Sequence, residues 1–364
     1  LNFPDYYRGL FFTFGQNHKM TFRFPEKEIH PVKTLLSTPK KIVITTHHRP
    51  DGDAMGSSLA LYNYLLLKGH DLSLITPSDY PEFLHWLPGN SKVINYEDQP
   101  QMSRNLLEAA DVIFCLDFND LKRTEKMETA LRESNAIRIL IDHHLYPEQD
   151  FTHLFSYSSA SSTCELVYQF IEAMGDLNLV DKSIAECIYC GIMTDTNSFR
   201  YSSMHAATHR IIAFLMEAGA ENHRIHERIY DSNTENRLRL LGYSLKEKLV
   251  IMNKYKTAYI SLSEAELKMF NFRPGDTEGL VNYALSIEGI VLAAFFSEKD
   301  GLIKISFRSK GDFSVQELSS VHFKGGGHRN ASGGIMESTL QEALDRFLSL
   351  LPMYEKQLNR QDEQ

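Results

Sequence analysis

The chain has 364 residues and a formal net charge of −9, with 43% hydrophobic and 23% charged residues. That length accommodates two domains with separate cores, and the composition is that of a soluble globular protein. The acidic balance argues against a coat for long DNA or RNA, which needs a basic surface, and no run approaches the roughly 20 apolar residues of a membrane helix.

In chain order, residues 1–19 are aromatic and irregular, without the basic start and apolar stretch of a signal peptide. They are expected to be a non-native or disordered extension. Residues 41–46 (KIVITT) read as a buried strand, 54–68 as a helix stopped by Gly69, and 72–76, 112–116 and 137–141 as further short apolar strands. Helical periodicity at 123–132, 163–174 and 181–192 lies between or after them. This alternation predicts an α/β fold, with an N-terminal doubly wound, mainly parallel sheet domain over 20–205. A helical connector follows over 206–248, interrupted by Gly219 and the polar run 231–236. A smaller mixed α+β C-terminal domain covers 249–354, with strands at 249–252, 258–262, 290–297 and 302–307, a helix over 340–350, and a tail at 355–364.

The four cysteines, Cys115, Cys164, Cys187 and Cys190, are too few and scattered for a disulfide framework. A reducing, cytoplasmic location is expected. Cys187 and Cys190 read as two buried thiols on one helix, since no second pair completes a zinc site. His205, His209, His223 and His226 read as solvated or packing residues.

The chemistry concentrates in four islands. His47-His-Arg-Pro-Asp51-Gly-Asp53 follows the first strand, Asp117 follows 112–116, Asp142-His143-His144 follows 137–141, and Asp195 lies in Gly191-Ile-Met-Thr-Asp-Thr196. Pro50 and Gly52 are expected to keep the first island extended, with Asp51 and Asp53 on one face. Three islands sit at carboxyl ends of strands, the edge where parallel sheets bind ligands. So many carboxylates in one cleft require cations, and carboxylate with imidazole suits Mn²⁺, Mg²⁺, Fe²⁺ or Zn²⁺. In the second domain, Gly325-Gly-Gly-His328 with Gly333 and Gly334 reads as a glycine-rich anion loop. Arg308, Ser309, Lys310, Lys324 and Arg329 make a local basic patch there.

THHRPDGDAMGS (46–57), IDHHLYP (141–147) and GIMTDTNSFRY (191–201) resemble the motifs of the DHH phosphoesterase superfamily. The resemblance is nearest to its bifunctional oligoribonucleases and 3′-phosphoadenosine 5′-phosphate (PAP) phosphatases. FRSKGDFSVQELSSVHFKGGGHRNASGG (307–334) resembles the DHH-associated C-terminal domain. The resemblance implies two divalent ions, Mn²⁺ first and Mg²⁺ or another ion as alternatives, sharing a water that attacks phosphorus. It places His47 and Asp51 on one ion, Asp53, His143 and Asp195 on the other, and Asp117 between them. Asp142 would orient the cluster, and His144 and Arg123 would face the substrate phosphate. Arg308, Ser309, Gly325, Gly326, Gly327, His328 and Arg329 would bind substrate. Lys324 and Asn197 depart from the family, which often has glycine or a small residue at these positions. The expected partners are short RNA or mononucleotide substrates, with no membrane and no long nucleic acid; a homodimer is allowed for. A cyclic- or linear-dinucleotide phosphodiesterase and a non-catalytic nucleotide sensor are the competing readings.

Overall fold

Short β-branched runs form strands wherever both faces are covered by helices. The computed structural model describes residues 24–201 and 203–360. The readings of 1–19 and of the last residues of the tail, 361–364, lie outside the described residues. The first domain runs α1 (Glu26–Leu35), β1 (Lys41–Thr45), α2 (Gly52–Leu67), β2 (Asp71–Thr76), β3 (Val93–Asn95), α3 (Pro100–Ala109), β4 (Val112–Leu116), a 3₁₀ segment Leu121–Met127, α4 (Glu128–Glu133), β5 (Ile137–Asp142), β6 (His153–Ser156), α5 (Thr163–Met174) and α6 (Lys182–Asp195). Its sheet has order β3-β2-β1-β4-β5-β6 and every pairing is parallel.

Alternate residues of the central strands enter two cores, as pleating requires. Ile42, Ile44, Phe114, Leu116, Ile139 and Ile141 join the α2, α5 and α6 side, while Val43, Ile113, Cys115 and Leu140 face α3 and α4. Chain order reverses between β1 and β4, which opens a crevice at their carboxyl ends. Register pairs Thr45 with Cys115 and Cys115 with Leu140. The residues two past these partners, His47, Asp117 and Asp142, therefore emerge at one level.

The expected connector divides between two cores. α7 (Ala206–Glu217) and α8 (Asn222–Tyr230) bury Ile211, Ile212, Leu215, Ile225 and Ile229 in the first domain. α9 (Glu235–Tyr243) buries Leu240 in the second, so the division falls at 231–234 rather than at 205 and 248. The second domain continues with β7 (Leu249–Met252), β8 (Thr257–Leu262), α10 (Glu264–Met269), α11 (Leu280–Leu285), β9 (Leu292–Lys299), β10 (Leu302–Ser309), α12 (Val315–His322), β11 (Gly326–His328), β12 (Ala331–Met336) and α13 (Leu340–Asn359). Its sheet has order β11-β12-β10-β9-β8-β7, with β8 and β9 parallel and the other neighbours antiparallel.

Two readings are corrected here. α13 does not stop at 350 with a tail from 355; it continues through Pro352 to Asn359, because Leu351 and Leu358 are buried in the second core. The glycine-rich segment is a β-hairpin rather than a loop, pairing Gly326 with Gly333 and His328 with Ala331. Its glycines hid the strand from a propensity reading. Gly327 has φ +138°, and a side chain there would strike the backbone of Ala331 and Ser332.

Candidate metal centre

The four islands converge at the crevice, although the first is built differently from expectation. Gly52 and Asp53 begin α2, and Asp51 is its N-cap, accepting from the amides of Asp53 and Ala54 at 3.0 and 3.1 Å. The helical turn sends the two carboxylates to different places. Asp51 lies 4.0 Å from His47 Nε2, and Asp53 lies 3.8 Å from His143 Nε2. α2 meets α6 closely at small residues; a Cβ on Gly191 would collide with Cys164 Sγ and crowd Asp53. That approach brings Asp195, the last residue of α6, to 3.5 Å from His143 Nε2.

Asp117 joins both groups. Its Oδ2 faces His47 Nε2 at 3.5 Å and its Oδ1 faces His143 Nε2 at 3.6 Å. Two ligand sets result, His47 with Asp51 and Asp117, and Asp53 with His143 and Asp195; within each, one atom per residue lies within 4.8 Å of the others. The imidazoles are oriented for this use. His47 Nδ1 donates to the His48 carbonyl at 3.0 Å and His143 Nδ1 to the Ala160 carbonyl at 3.4 Å. A carbonyl only accepts, so Nδ1 carries a proton, and each Nε2, turned toward the carboxylates, is the nitrogen that becomes a ligand when an ion displaces its proton. His144 Nδ1 pairs with Asp142 Oδ1 at 2.7 Å.

Electrostatics fit a cation-demanding site. Burial, with the charges of Asp117 and Asp195, holds the Asp53 carboxyl well above the usual carboxylate range. Burial and the carboxylates of Asp51 and Asp117 lift Asp195 to about 7 against the pull of His143. Burial opposes charge on His143, but Asp195, Asp53 and Asp117 outweigh it and raise the imidazole to about 9. Burial would also raise Asp117; its hydrogen bond to His47 and the surrounding imidazoles hold it below the ordinary range instead. Protons shared among crowded carboxylates and imidazoles are what divalent ions displace, so the donor set suits divalent ions.

The facing wall comes from the second domain across a cleft of about 660 Å³. His328 stacks on His144 with ring centroids 4.5 Å apart and lies 4.6 Å from the His143 ring. Burial and these two imidazoles hold His328 well below the usual histidine range, hence neutral at pH 7. Arg308, Gly326, Gly327 and His328 line the cleft, as do Arg123 and His144 opposite. Arg308 Nε is buried and has no hydrogen-bond partner among the described residues. Three expected substrate residues lie elsewhere. Ser309 is buried with its hydroxyl donating to the Phe313 carbonyl, Gly325 packs against Gly333, and Arg329 is exposed and tied to Asp312. Lys324 is exposed away from the cleft, with φ +47°.

Residues 41–192 match the model of the DHH family, N-terminal domain, and residues 254–356 match the DHHA1 domain. A crystal structure of an exopolyphosphatase-related protein from Bacteroides fragilis superposes with TM-score 0.88 at 40% identity, over 92% of this chain and 98% of its own. The chain belongs to the DHH phosphoesterase family. The bifunctional oligoribonuclease and PAP phosphatase NrnA of Thermus thermophilus is 28% identical over 328 residues, which are 90% of this chain and 94% of its own. The T. thermophilus RecJ structure in complex with Mn²⁺ shares the fold, with TM-score 0.52 and 15% identity over 93% of this chain and 56% of its own.

Within this DHH-family chain, the supporting residues escaped the sequence reading. The N-terminus of α5 holds the acid cluster: amides of Thr163 and Cys164 donate to Asp53 at 2.6 and 2.9 Å, and the Thr163 hydroxyl donates to Asp117 Oδ1 at 2.8 Å. Glu165, fully buried, steadies that turn by accepting from Ser161 N and Oγ and from Thr208 Oγ1. The Ser161-Ser-Thr signal was present as a helix start, but its partners lie 46 and 110 residues away. Asn119, Tyr146, Ser306 and Gln316 also line the cleft. Asn197 stands where the family often has glycine, and its φ of +50° explains the exchange, since asparagine tolerates the left-handed region well.

Proposed function

We propose that this chain hydrolyses phosphoester bonds in short oligoribonucleotides of about two to five nucleotides and in PAP. The observation that carries the reading is the pair of ligand sets on either side of Asp117, whose two oxygens face His47 and His143, with Arg308 and His328 across one cleft. His47, Asp51 and Asp117 would hold one divalent ion, and Asp117, Asp53, His143 and Asp195 the other, with Mn²⁺ the expected metal. Such ions supply charge for the phosphoryl oxygens and an acidified water near neutral pH.

The chain's own residues supply the rest. Asp142 orients His144 through the 2.7 Å hydrogen bond, leaving His144 Nε2 for a phosphate oxygen. Arg123 lines the same wall and forms no ion pair among the described residues, so its guanidinium is available to a second oxygen. Arg308 and the neutral His328 bind the terminal phosphate and sugar, and contact between His328 and His144 narrows the cleft around a small substrate. The reader has few cations, so added length brings little extra affinity. NrnA of T. thermophilus, named for both activities, supports the same reading.

The test is kcat/KM for PAP, ribodinucleotide to ribopentanucleotide, a 24-mer, cyclic di-AMP and pyrophosphate, each with Mn²⁺ and Mg²⁺. Highest values are expected for PAP and the shortest RNAs. A preference for the 24-mer that collapses steeply with salt would overturn the substrate assignment, and a preference for cyclic di-AMP would reassign the chain to dinucleotide second messengers.

A further inference from the structure

We propose that Tyr146 is a stacking platform for the second nucleobase of a short oligonucleotide. The proposal rests on the oligoribonuclease reading and adds a base subsite to it. Tyr146 lies two residues past His144 and lines the cleft, yet it is 78% exposed. Among the described residues its ring has no aromatic partner and its hydroxyl no hydrogen bond. A single exposed tyrosine is ordinary on a protein surface; its backbone and its setting are what set this one apart.

Tyr146 has φ +59°, a left-handed conformation unfavourable for a bulky residue. The loop that imposes it is clamped to the opposing segment. Asn119 Nδ2 donates to the Leu145 carbonyl at 2.6 Å, and the Glu148 amide donates to the Asn119 carbonyl at 2.7 Å. The Leu121 amide donates to Glu148 Oε2 at 3.1 Å, and Arg132 grips the same carboxylate through Nη1 and Nη2 at 2.8 and 3.2 Å. A strained residue is thus held by five bonds, none of which involves its own side chain. No aromatic contact or hydrogen bond of the ring among the described residues accounts for the strain; the clamp holds the backbone that carries the ring at the cleft.

The clamp also carries Arg123, in the 3₁₀ segment that begins at Leu121, and Arg123 lines the same wall. Its carbonyl accepts from the His48 amide at 2.7 Å, which ties this segment to the loop after β1. One rim of the cleft therefore presents a guanidinium and an exposed aromatic ring on a clamped backbone. That sequence of groups suits a phosphate followed by a base, since single-stranded nucleic acid is held by cations along the backbone and aromatic rings under the bases. A mononucleotide bisphosphate has one base and leaves this position unused; a dinucleotide fills it.

The test compares wild type, Y146A, Y146F and Y146W on a 5′-phosphorylated ribodinucleotide and on its two analogues lacking one base or the other. Wild type should lose about tenfold or more in kcat/KM on one abasic analogue, the scale of one base–aromatic stack. Y146A should show a similar loss on the intact dinucleotide, through KM, and should no longer distinguish it from that analogue. Y146F and Y146W should retain the preference. A dinucleotide with 2-aminopurine at the sensitive position should be quenched on binding wild type and not Y146A. If wild type turns over the dinucleotide and Y146A discriminates as wild type does, the subsite is overturned while the oligoribonuclease reading stands. If wild type neither hydrolyses nor quenches any dinucleotide, that reading fails and the subsite falls with it.

Discussion

On the wall formed by the first domain, His47, Asp53, Asp117 and His143 are buried, and each is already held by a neighbour. On the facing wall, Arg308 Nε is buried without a hydrogen-bond partner among the described residues, and the His328 ring meets those of His143 and His144. The first wall is a crowded acid cluster fixed by a parallel sheet and two helix N-termini. The second is a glycine hairpin at the edge of a mixed sheet. The difference separates two tasks. Cation ligands must be spaced before the cation arrives, which demands rigidity; a substrate reader keeps donors unsatisfied, because each one is completed by the ligand.

The comparison breaks first at Asp117. Asp117→Asn should fold and lose activity on the order of 10³-fold, since one of the two oxygens facing His47 and His143 becomes an amide. Near-wild-type kcat in the folded variant would refute the shared role. Arg308→Ala should lower kcat/KM by roughly 10- to 100-fold, the scale of one charged hydrogen bond, with bound Mn²⁺ unchanged. Metal loss in that variant, measured by elemental analysis, would show that the two walls are not independent.

Thr163→Val removes the hydroxyl that fixes Asp117 Oδ1 and should weaken Mn²⁺ binding by about tenfold, with Thr163→Ser restoring it. Calorimetric titration distinguishes this from general destabilisation, because a purely structural role would affect both variants' melting and neither's metal affinity.

The smallest effect is on pH-dependent stability without metal. His143 keeps a proton up to about pH 9 in the fold, whereas its ordinary value is 6.5, so its contribution is full below 6.5 and is lost as pH rises through 9. Asp195, at about 7 instead of 3.8, keeps its proton over a lower range and acts in the same direction. His328 is neutral in the fold, and its opposing contribution is complete once pH exceeds 6.5. The folded chain therefore binds more protons than the unfolded chain between pH 7 and 9, and Tm in chelator should fall by a few degrees across that window. Excess Mn²⁺ should flatten the slope by replacing the protons. A chelated Tm that is level or rises would contradict the charge balance of the cluster.

Sequence alone determined the four central strands of the parallel sheet but not its edge strands β3 and β6, the helix 163–174 to the residue, the helix read as 181–192 short of the last turn that carries Asp195, and the positions of His47, Asp117 and Asp142. The reason is local: apolar runs specify buried strands, and residues just past neighbouring parallel strands share a level once register is set. Tertiary structure decided everything that depends on distant partners. Asp51 and Asp53 separate because α2 starts at Gly52, two residues earlier than the expected 54, with Thr163 and Cys164 waiting for Asp53 across 110 residues of chain. Arg329 and Ser309 carry suitable groups but point to Asp312 and Phe313, while His328 is carried onto His144 by the β11–β12 hairpin. Side-chain direction in a hairpin follows register with its neighbour, and the close approach of two domains follows shape; neither is written in the spacing of residues along one strand.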